Sequence, residues 1–255
     1  MNFLTAYHTD VGIKKKTNQD SLLIHQAQTD FGNVLLAVMC DGMGGLAKGE
    51  VASAYMIKSF SNWFFTELPE MLGDGMTPEL LRASWETLVD SVNRKIMDYS
   101  DSISVSMGTT CVALLVVDKT YYIMNIGDSR AYLLSDNIYQ LTKDQTYIQR
   151  EMDMGRMTYE EALRDPQRNV LLQCVGASVV VEPDFFMGDV EINQCFMLCC
   201  DGFRHVVDPR EFYTHLNPQV STDPSVMQQN LIYLTELNKD RRETDNISAI
   251  LIRTY

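Results

Sequence analysis

The chain has 255 residues, 45% hydrophobic and 22% charged, with a formal net charge of −13; these proportions fit a soluble globular protein of one large domain or two small ones. Such an acidic balance argues against a nucleic-acid backbone as ligand, because phosphate contacts need a Lys/Arg surface. It suits carboxylates that hold divalent cations, and equally a surface kept soluble by charge.

The six cysteines, Cys40, Cys111, Cys174, Cys195, Cys199 and Cys200, mostly lie in apolar runs, and no C-x-x-C pair is present. Neither a disulfide framework nor structural zinc is expected, and a reducing cytoplasm fits. Residues 1–10 lack a basic segment followed by an apolar core, so they do not form a signal peptide. No run approaches the roughly 18 apolar residues of a membrane span.

In chain order, 2–8 alternates weakly and predicts a strand. Runs 21–25 and 34–39 predict two more, joined by a hairpin through Thr29-Asp30-Phe31-Gly32-Asn33. Residues 48–68 have helical periodicity, with Ala52, Met56, Ser59/Phe60 and Trp63 on one face, broken by Gly73-Asp74-Gly75. Thr77 caps a second helix with Pro78 at its first position. Along it, Leu81, Trp85, Leu88, Val92, Ile96 and Tyr99 recur at steps of three and four.

Strands return at 109–117, 121–126 and 131–134. Residues 143–168 are polar, with a capping box at Thr158-x-x-Glu161 and Pro166 ending a short helix, which predicts a flap between sheet segments. Runs 185–190 and 195–200 predict strands, 209–215 and 224–237 helices, and 247–252 a final strand. Strands in runs, interrupted by paired helices, favour an α+β fold: a β-sandwich of two antiparallel sheets flanked by helices, in one domain over 1–255.

Four aspartates sit where an apolar strand runs into a turn: Asp41 in Asp41-Gly42-Met43-Gly44-Gly45, Asp128 in Gly127-Asp128-Ser129-Arg130, Asp201 in Cys200-Asp201-Gly202, and Asp245 in Asp245-Asn246. Each delivers a hard oxygen ligand to the rim of a sheet, the donor set of Mg²⁺ or Mn²⁺. Each also has a plainer reading. Asp41 could cap the following helix, and the other three could be ordinary turns.

Together with Asn18-Gln19-Asp20-Ser21 and Gly108-Thr109-Thr110, these segments stand in an order and spacing that resemble the protein phosphatase 2C family, the metal-dependent Ser/Thr protein phosphatases, in its compact bacterial form. The resemblance implies a sandwich with a two-metal centre at one edge. Asp41 would bridge both ions, with the Gly42 carbonyl on the second. Asp201 and Asp245 would complete the first, and Asp20 would orient water there. Asp128 with Asp201 matches a third, weaker cation site, so two or three Mn²⁺ or Mg²⁺ ions are implied. Residues 143–168 fall where bacterial relatives carry a flap.

The resemblance also implies partners: phosphorylated proteins and a cognate Ser/Thr kinase, acted on by a cytoplasmic monomer, with no nucleic acid or membrane. Two positions depart from the family pattern. Lys15 stands where an arginine usually grips the substrate phosphate, although Lys14-Lys15-Lys16 could equally be a solvated basic run. Met43 stands where many eukaryotic members carry a histidine thought to protonate the leaving oxygen. The rivals are a non-catalytic phosphoprotein-binding relative, a relative devoted to one regulatory phosphoprotein, and a metal-dependent nuclease.

Overall fold

A computed structural model describes residues 1–43 and 48–255. Gly44 and Gly45 of the first glycine-rich segment lie outside the described residues.

The long apolar runs at 34–40 and 111–116 do not alternate, and the structure shows why. They form β3 (Gly32–Asp41) and β4 (Cys111–Val117) in the middle of a sheet covered on both faces. Its order is β2 (Asp20–Thr29), β3, β4, β5 (Thr120–Ile126) and β8 (Asp184–Asp189), every neighbour antiparallel. Leu35, Ala37, Met39, Val112, Leu114 and Val116 face the opposite sheet. Their neighbours Val34, Leu36, Val38, Cys111, Ala113 and Leu115 face two helices, α1 (Gly49–Asp74) and α2 (Pro78–Ile103). A strand buried on both faces has no polar side to show.

The second sheet is β1 (Phe3–Asp10), β10 (Ile247–Thr254), β9 (Cys195–Cys199), β6 (Arg130–Leu134) and the short β7 (Ile138–Gln140), again antiparallel. Its outer face carries α5 (Asp201–Arg204), α6 (Pro209–Leu216) and α7 (Pro224–Asp240), which bury Phe203, Phe212, Leu216, Met227, Leu231 and Leu234. Between β7 and β8 lie two short helices, α3 (Tyr147–Asp153) and α4 (Tyr159–Ala162). The architecture is α-β-β-α, as the pattern of runs predicted. Among the described residues, no helix is long and apolar enough to cross a membrane. All six cysteines are buried free thiols.

Several local expectations shift. Periodicity marks α1 only over 48–68, but the helix continues through Pro69 to Asp74 and stops at the expected Gly73-Asp74-Gly75 break. Pro69 removes the bond its amide would give to the carbonyl of residue 65, but Phe65 is exposed, so water can take that carbonyl. Leu68 and Leu72 stay buried on either side and hold the helix down. On α2 the apolar stripe drifts: Val89 is buried, whereas Tyr99 is exposed. Thr77 caps α2 as expected, its side chain accepting from the Leu80 amide.

Candidate metal centre

The strand registers bring the first two carboxylates together. Asp20 opens β2 and Asp41 closes β3, and the two are direct cross-strand partners. Like charges placed opposite each other on a sheet repel, so this pairing needs a compensating cation or a proton. Asp41 is held by its backbone. Its N–H donates to the Thr110 hydroxyl at 3.0 Å, and its carbonyl accepts from the Thr110 N–H at 2.9 Å and the Thr109 hydroxyl at 3.0 Å. That is the work of the Gly108-Thr109-Thr110 segment. The alternative in which Asp41 caps α1 fails, because the residue before that helix is Lys48 and no side chain caps it.

Gly42 follows in a crowded place. A Cβ there would lie 2.5 Å from the carbonyl oxygens of Gln19 and Gly49, so only glycine lets the chain leave β3 at this angle.

The other sheet supplies the rest. Asp201 is not in a plain turn: it opens α5, directly behind β9. A Cβ on Gly202 would run into the Asn246 carbonyl and come within 3.2 Å of the Asp245 Cβ. The Asp-Gly and Asp-Asn segments are therefore pressed together, which explains the glycine. Asn246 fastens the loop before β2, accepting from the Gln19 N–H at 2.9 Å and donating to the carbonyls of Val11 and Thr17 at 2.9 and 3.2 Å.

That loop carries the three lysines. Lys14 and Lys16 point to solvent, while Lys15 turns inward and its Nζ sits 2.7 Å from Asp245 Oδ1. Burial alone would lower the Lys15 pKa. Its bond to Asp245 and the nearby charges of Asp41 and Asp201 outweigh that and raise it.

The electrostatics report the same convergence. The pKa of Asp41 is pushed well above the ordinary carboxylate range, by burial first and then by Asp20, Asp201, Asp128 and Asp245. Asp20 is pushed up to about 7, above all by burial and further by Asp201 and Asp245, against lowering effects from the nearby Ser248 hydroxyl and Cys200 thiol. Both Asp20 carboxylate oxygens are buried without a hydrogen-bond partner. Ligand atoms of Asp20, Asp41 and Cys200 lie within 4.8 Å of one another. A buried carboxylate lacking a partner, beside a second one crowded by four others, is a donor set built for hard cations. The residues fit a Mn²⁺ or Mg²⁺ centre.

Asp128 differs from the other four. It follows β5, and its pKa is raised to about 7 by burial and Asp201, against a lowering effect from Arg204. The Arg204 Nη2 lies 2.9 Å from the Asp128 carbonyl, 3.3 Å from its Oδ2 and 3.4 Å from Asp144 Oδ2. Asp144 in turn takes a two-pronged bond from Arg130, 2.7 Å to each oxygen. His205 sits between Asp201 (3.4 Å) and Glu243 (3.3 Å). Nothing in the sequence marked Arg204, Arg130 and Asp144 as a set, because the contacts span 14 to 76 residues of chain.

A cleft of about 1100 Å³ flanks the cluster, and Asp128, Asp245, Tyr159, Leu163, Arg168, Arg204 and His205 are among the residues that line it. Asp20, Asp41 and Asp201 do not line it. The cleft is where a bulky substrate would lie beside the carboxylates.

The family model described as Protein phosphatase 2C matches residues 13–232. The chain belongs to the protein phosphatase 2C family. It is 32% identical over 247 residues to a putative protein phosphatase 2C-type of Streptococcus pyogenes, covering 96% of this chain and 94% of the relative. It is 28% identical over 249 residues to the serine/threonine phosphatase stp of Listeria monocytogenes, with the same coverage. The crystal structure of serine/threonine phosphatase Stp1 from Staphylococcus aureus superposes with a TM-score of 0.85 at 28% identity, covering 100% of this chain and 96% of that one. The catalytic domain of the serine/threonine protein phosphatase PstP, solved with two manganese ions, superposes at 0.76 and 29% identity, with 99% of each chain covered.

Proposed function

We propose that this chain hydrolyses phosphoserine and phosphothreonine in proteins, using two Mn²⁺ or Mg²⁺ ions held by Asp41, the Gly42 carbonyl, Asp201 and Asp245. The observation that carries this reading is the meeting of Asp20, Asp41, Asp201 and Asp245 from separate strand ends, with both Asp20 oxygens buried and unpartnered. When bound, such an ion pair lowers the pKa of a shared water from ~15.7 towards neutrality and supplies the nucleophile at neutral pH.

The protein does the positioning. Asp41 stands between the two halves of the site, its backbone fixed by Thr109 and Thr110. Asp20, buried and without donors, accepts a proton from water and aims its oxygen at phosphorus. Attack forms the new P–O bond and breaks the bond to the Ser/Thr oxygen, which leaves with a proton. Met43 cannot supply that proton, so it comes from solvent in the cleft. Positioning and charge carry most of such a transfer. No covalent intermediate is needed, in keeping with six buried thiols.

Lys15 is assigned to the substrate phosphate. Its ammonium already lies among Asp245, Asp41 and Asp201; once cations neutralise these carboxylates, it is free to turn to a phosphoryl oxygen. A lysine provides a point charge where an arginine would provide a planar fork, so it orients the phosphate less tightly. Residues 1–255 act as one catalytic unit, and 143–168 serve as a flap beside the cleft. The substrates are the targets of a Ser/Thr kinase, and the protein works as a cytoplasmic monomer.

A non-catalytic phosphoprotein-binding role is disfavoured by the full carboxylate set, and a nuclease role by the charge of −13. Phosphate release from a phosphothreonine peptide, measured with Mn²⁺ and then with excess chelator, tests the proposal. Metal-dependent release supports it; release that survives chelation, or none with metal, refutes it.

A further inference from the structure

We infer that the Arg204 guanidinium stands permanently where the resemblance places a third cation, so that this protein works with two ions and a tethered positive charge. This inference rests on the two-ion reading above.

A third ion between Asp128 and Asp201 needs oxygen ligands at about 2.0–2.2 Å, with room for its remaining waters. The Asp128 side is already occupied by a cation. Arg204 Nη2 donates to the Asp128 carbonyl at 2.9 Å and approaches its Oδ2 at 3.3 Å, so both oxygen types of that residue face the guanidinium. On the Asp201 side, His205 from the same helical turn lies 3.4 Å from Oδ2 and 3.3 Å from Glu243. The two carboxylates that would share an ion are thus each faced by a side chain from the end of α5, Arg204 or the His205 that follows it.

Arg204 is also locked from behind. Its side chain is only 12% exposed. Its Nη2 reaches Asp144 Oδ2 at 3.4 Å, and Asp144 is clamped by Arg130 with two bonds of 2.7 Å. The result is an alternating row, Arg130–Asp144–Arg204–Asp128, in which every charge faces its opposite. Pulling Arg204 away to admit an ion would strip a buried guanidinium of its Asp128 and Asp144 partners, the costly way to break such a row. An arginine stays charged at any working pH, so the substitution for a metal is unconditional.

The consequence is a metal requirement with a single stage. Asp128 serves the centre indirectly: it anchors Arg204, and Arg204 holds Asp144 at the start of the segment that walls the cleft. The cluster thereby couples the rim of the metal centre to residues 143–168 without an exchangeable ion.

The test counts bound manganese, by elemental analysis after equilibrium dialysis and by anomalous scattering from crystals soaked in millimolar Mn²⁺. The unaltered protein should hold two ions, with no density at Asp128. Arg204→Gln should gain a third ion at Asp128. Repulsion between a divalent ion and a guanidinium about 5 Å away, discounted for water, sets the expected gain in third-site affinity on the order of 100-fold or more. Arg204→Gln combined with Asp128→Asn should return to two. If Arg204→Gln does not fold, Asp128→Asn alone decides the matter: its manganese count should equal that of the unaltered protein.

A third ion on Asp128 in the unaltered protein, a folded Arg204→Gln that still binds two, or loss of an ion in Asp128→Asn would overturn the inference while leaving the two-ion reading intact. A chain that binds no manganese would overturn both.

Discussion

Removing the metals should make the protein's stability fall as pH rises from 5 to 8, and restoring them should abolish that fall. The reason lies in Asp20, whose pKa in the metal-free fold is pushed up to about 7 from the ordinary aspartate value of 3.8. Between the unfolded and folded pKa values the folded state holds a proton that the unfolded state has released, so stability decreases with rising pH. From pH 5 to pH 7 the folded carboxylate lags by about two pH units, which at 1.36 kcal/mol per unit is a loss of roughly 3 kcal/mol. Asp128 and Asp41 are shifted in the same direction. They share neighbours with Asp20, so their losses overlap and the figure is not multiplied. His205, raised by Glu243 and Asp201 against its burial, loses stabilisation over the upper part of this window and acts with the same sign. Carboxylates with lowered pKa values, such as Asp10 and Glu211, act only below about pH 4.5, whereas His8 and His25, lowered by burial, act with the opposite sign below about pH 6.5 and offset part of the fall at the acid end of the window.

For a chain of this size each kcal/mol moves the melting temperature by about 2–4 °C, so the metal-free protein should melt roughly 8 °C lower at pH 8 than at pH 5. Differential scanning calorimetry of chelator-treated protein across that range is the assay, with Asp20→Asn as the control that removes one titrating group and flattens the slope. Saturating Mn²⁺ should hold the carboxylates ionised and leave little slope. A metal-free protein that melts at the same temperature, or higher, at pH 8 would refute the electrostatic account of the cluster.

Asp201→Asn should keep the melting temperature near that of the unaltered chain but cut turnover by more than ~100-fold, since even outer-shell changes at metal sites cost 10–100-fold; near-normal rates would remove Asp201 from the ligand set. Thr110→Val leaves the Asp41 N–H without its 3.0 Å acceptor and the Ser129 hydroxyl without its 2.9 Å partner, so denaturant titration should show a loss of about 1–3 kcal/mol, and an unchanged midpoint would count against the strut. Lys15→Arg should lower KM for a phosphothreonine peptide several-fold with little change in kcat, because the fork replaces a point charge; an unchanged KM would mean that Lys15 serves only Asp245. Gly202→Ala places a methyl group against the Asn246 carbonyl, and should weaken manganese binding in calorimetric titration; normal affinity would show that the two turns can part without harm.

The sandwich was legible because its central strands must be apolar on both faces, and such runs are visible at 34–40 and 111–116. The carboxylates were legible one at a time, each at the end of an apolar run. Their convergence was not, since register decides it: one residue of slip between β2 and β3 would part Asp20 from Asp41. The break at Gly73-Asp74-Gly75 marked the end of α1, and Pro69 does not stop the helix earlier because Phe65, four residues before it, faces solvent. The α5 turn at Asp201 and the three-residue β7 are too short to show any period. Lys15 was one of three adjacent lysines with no local mark of which turns inward. Arg204 was least visible, because its partners Asp128 and Asp144 lie 76 and 60 residues away and only the fold brings them together.

The most direct test is an anomalous difference map recorded near the manganese edge from crystals grown with Mn²⁺. The account predicts two strong peaks about 4 Å apart, bridged by the Asp41 carboxylate and completed by Gly42, Asp201 and Asp245. Peaks lying elsewhere, or a map with none at these residues, would contradict it.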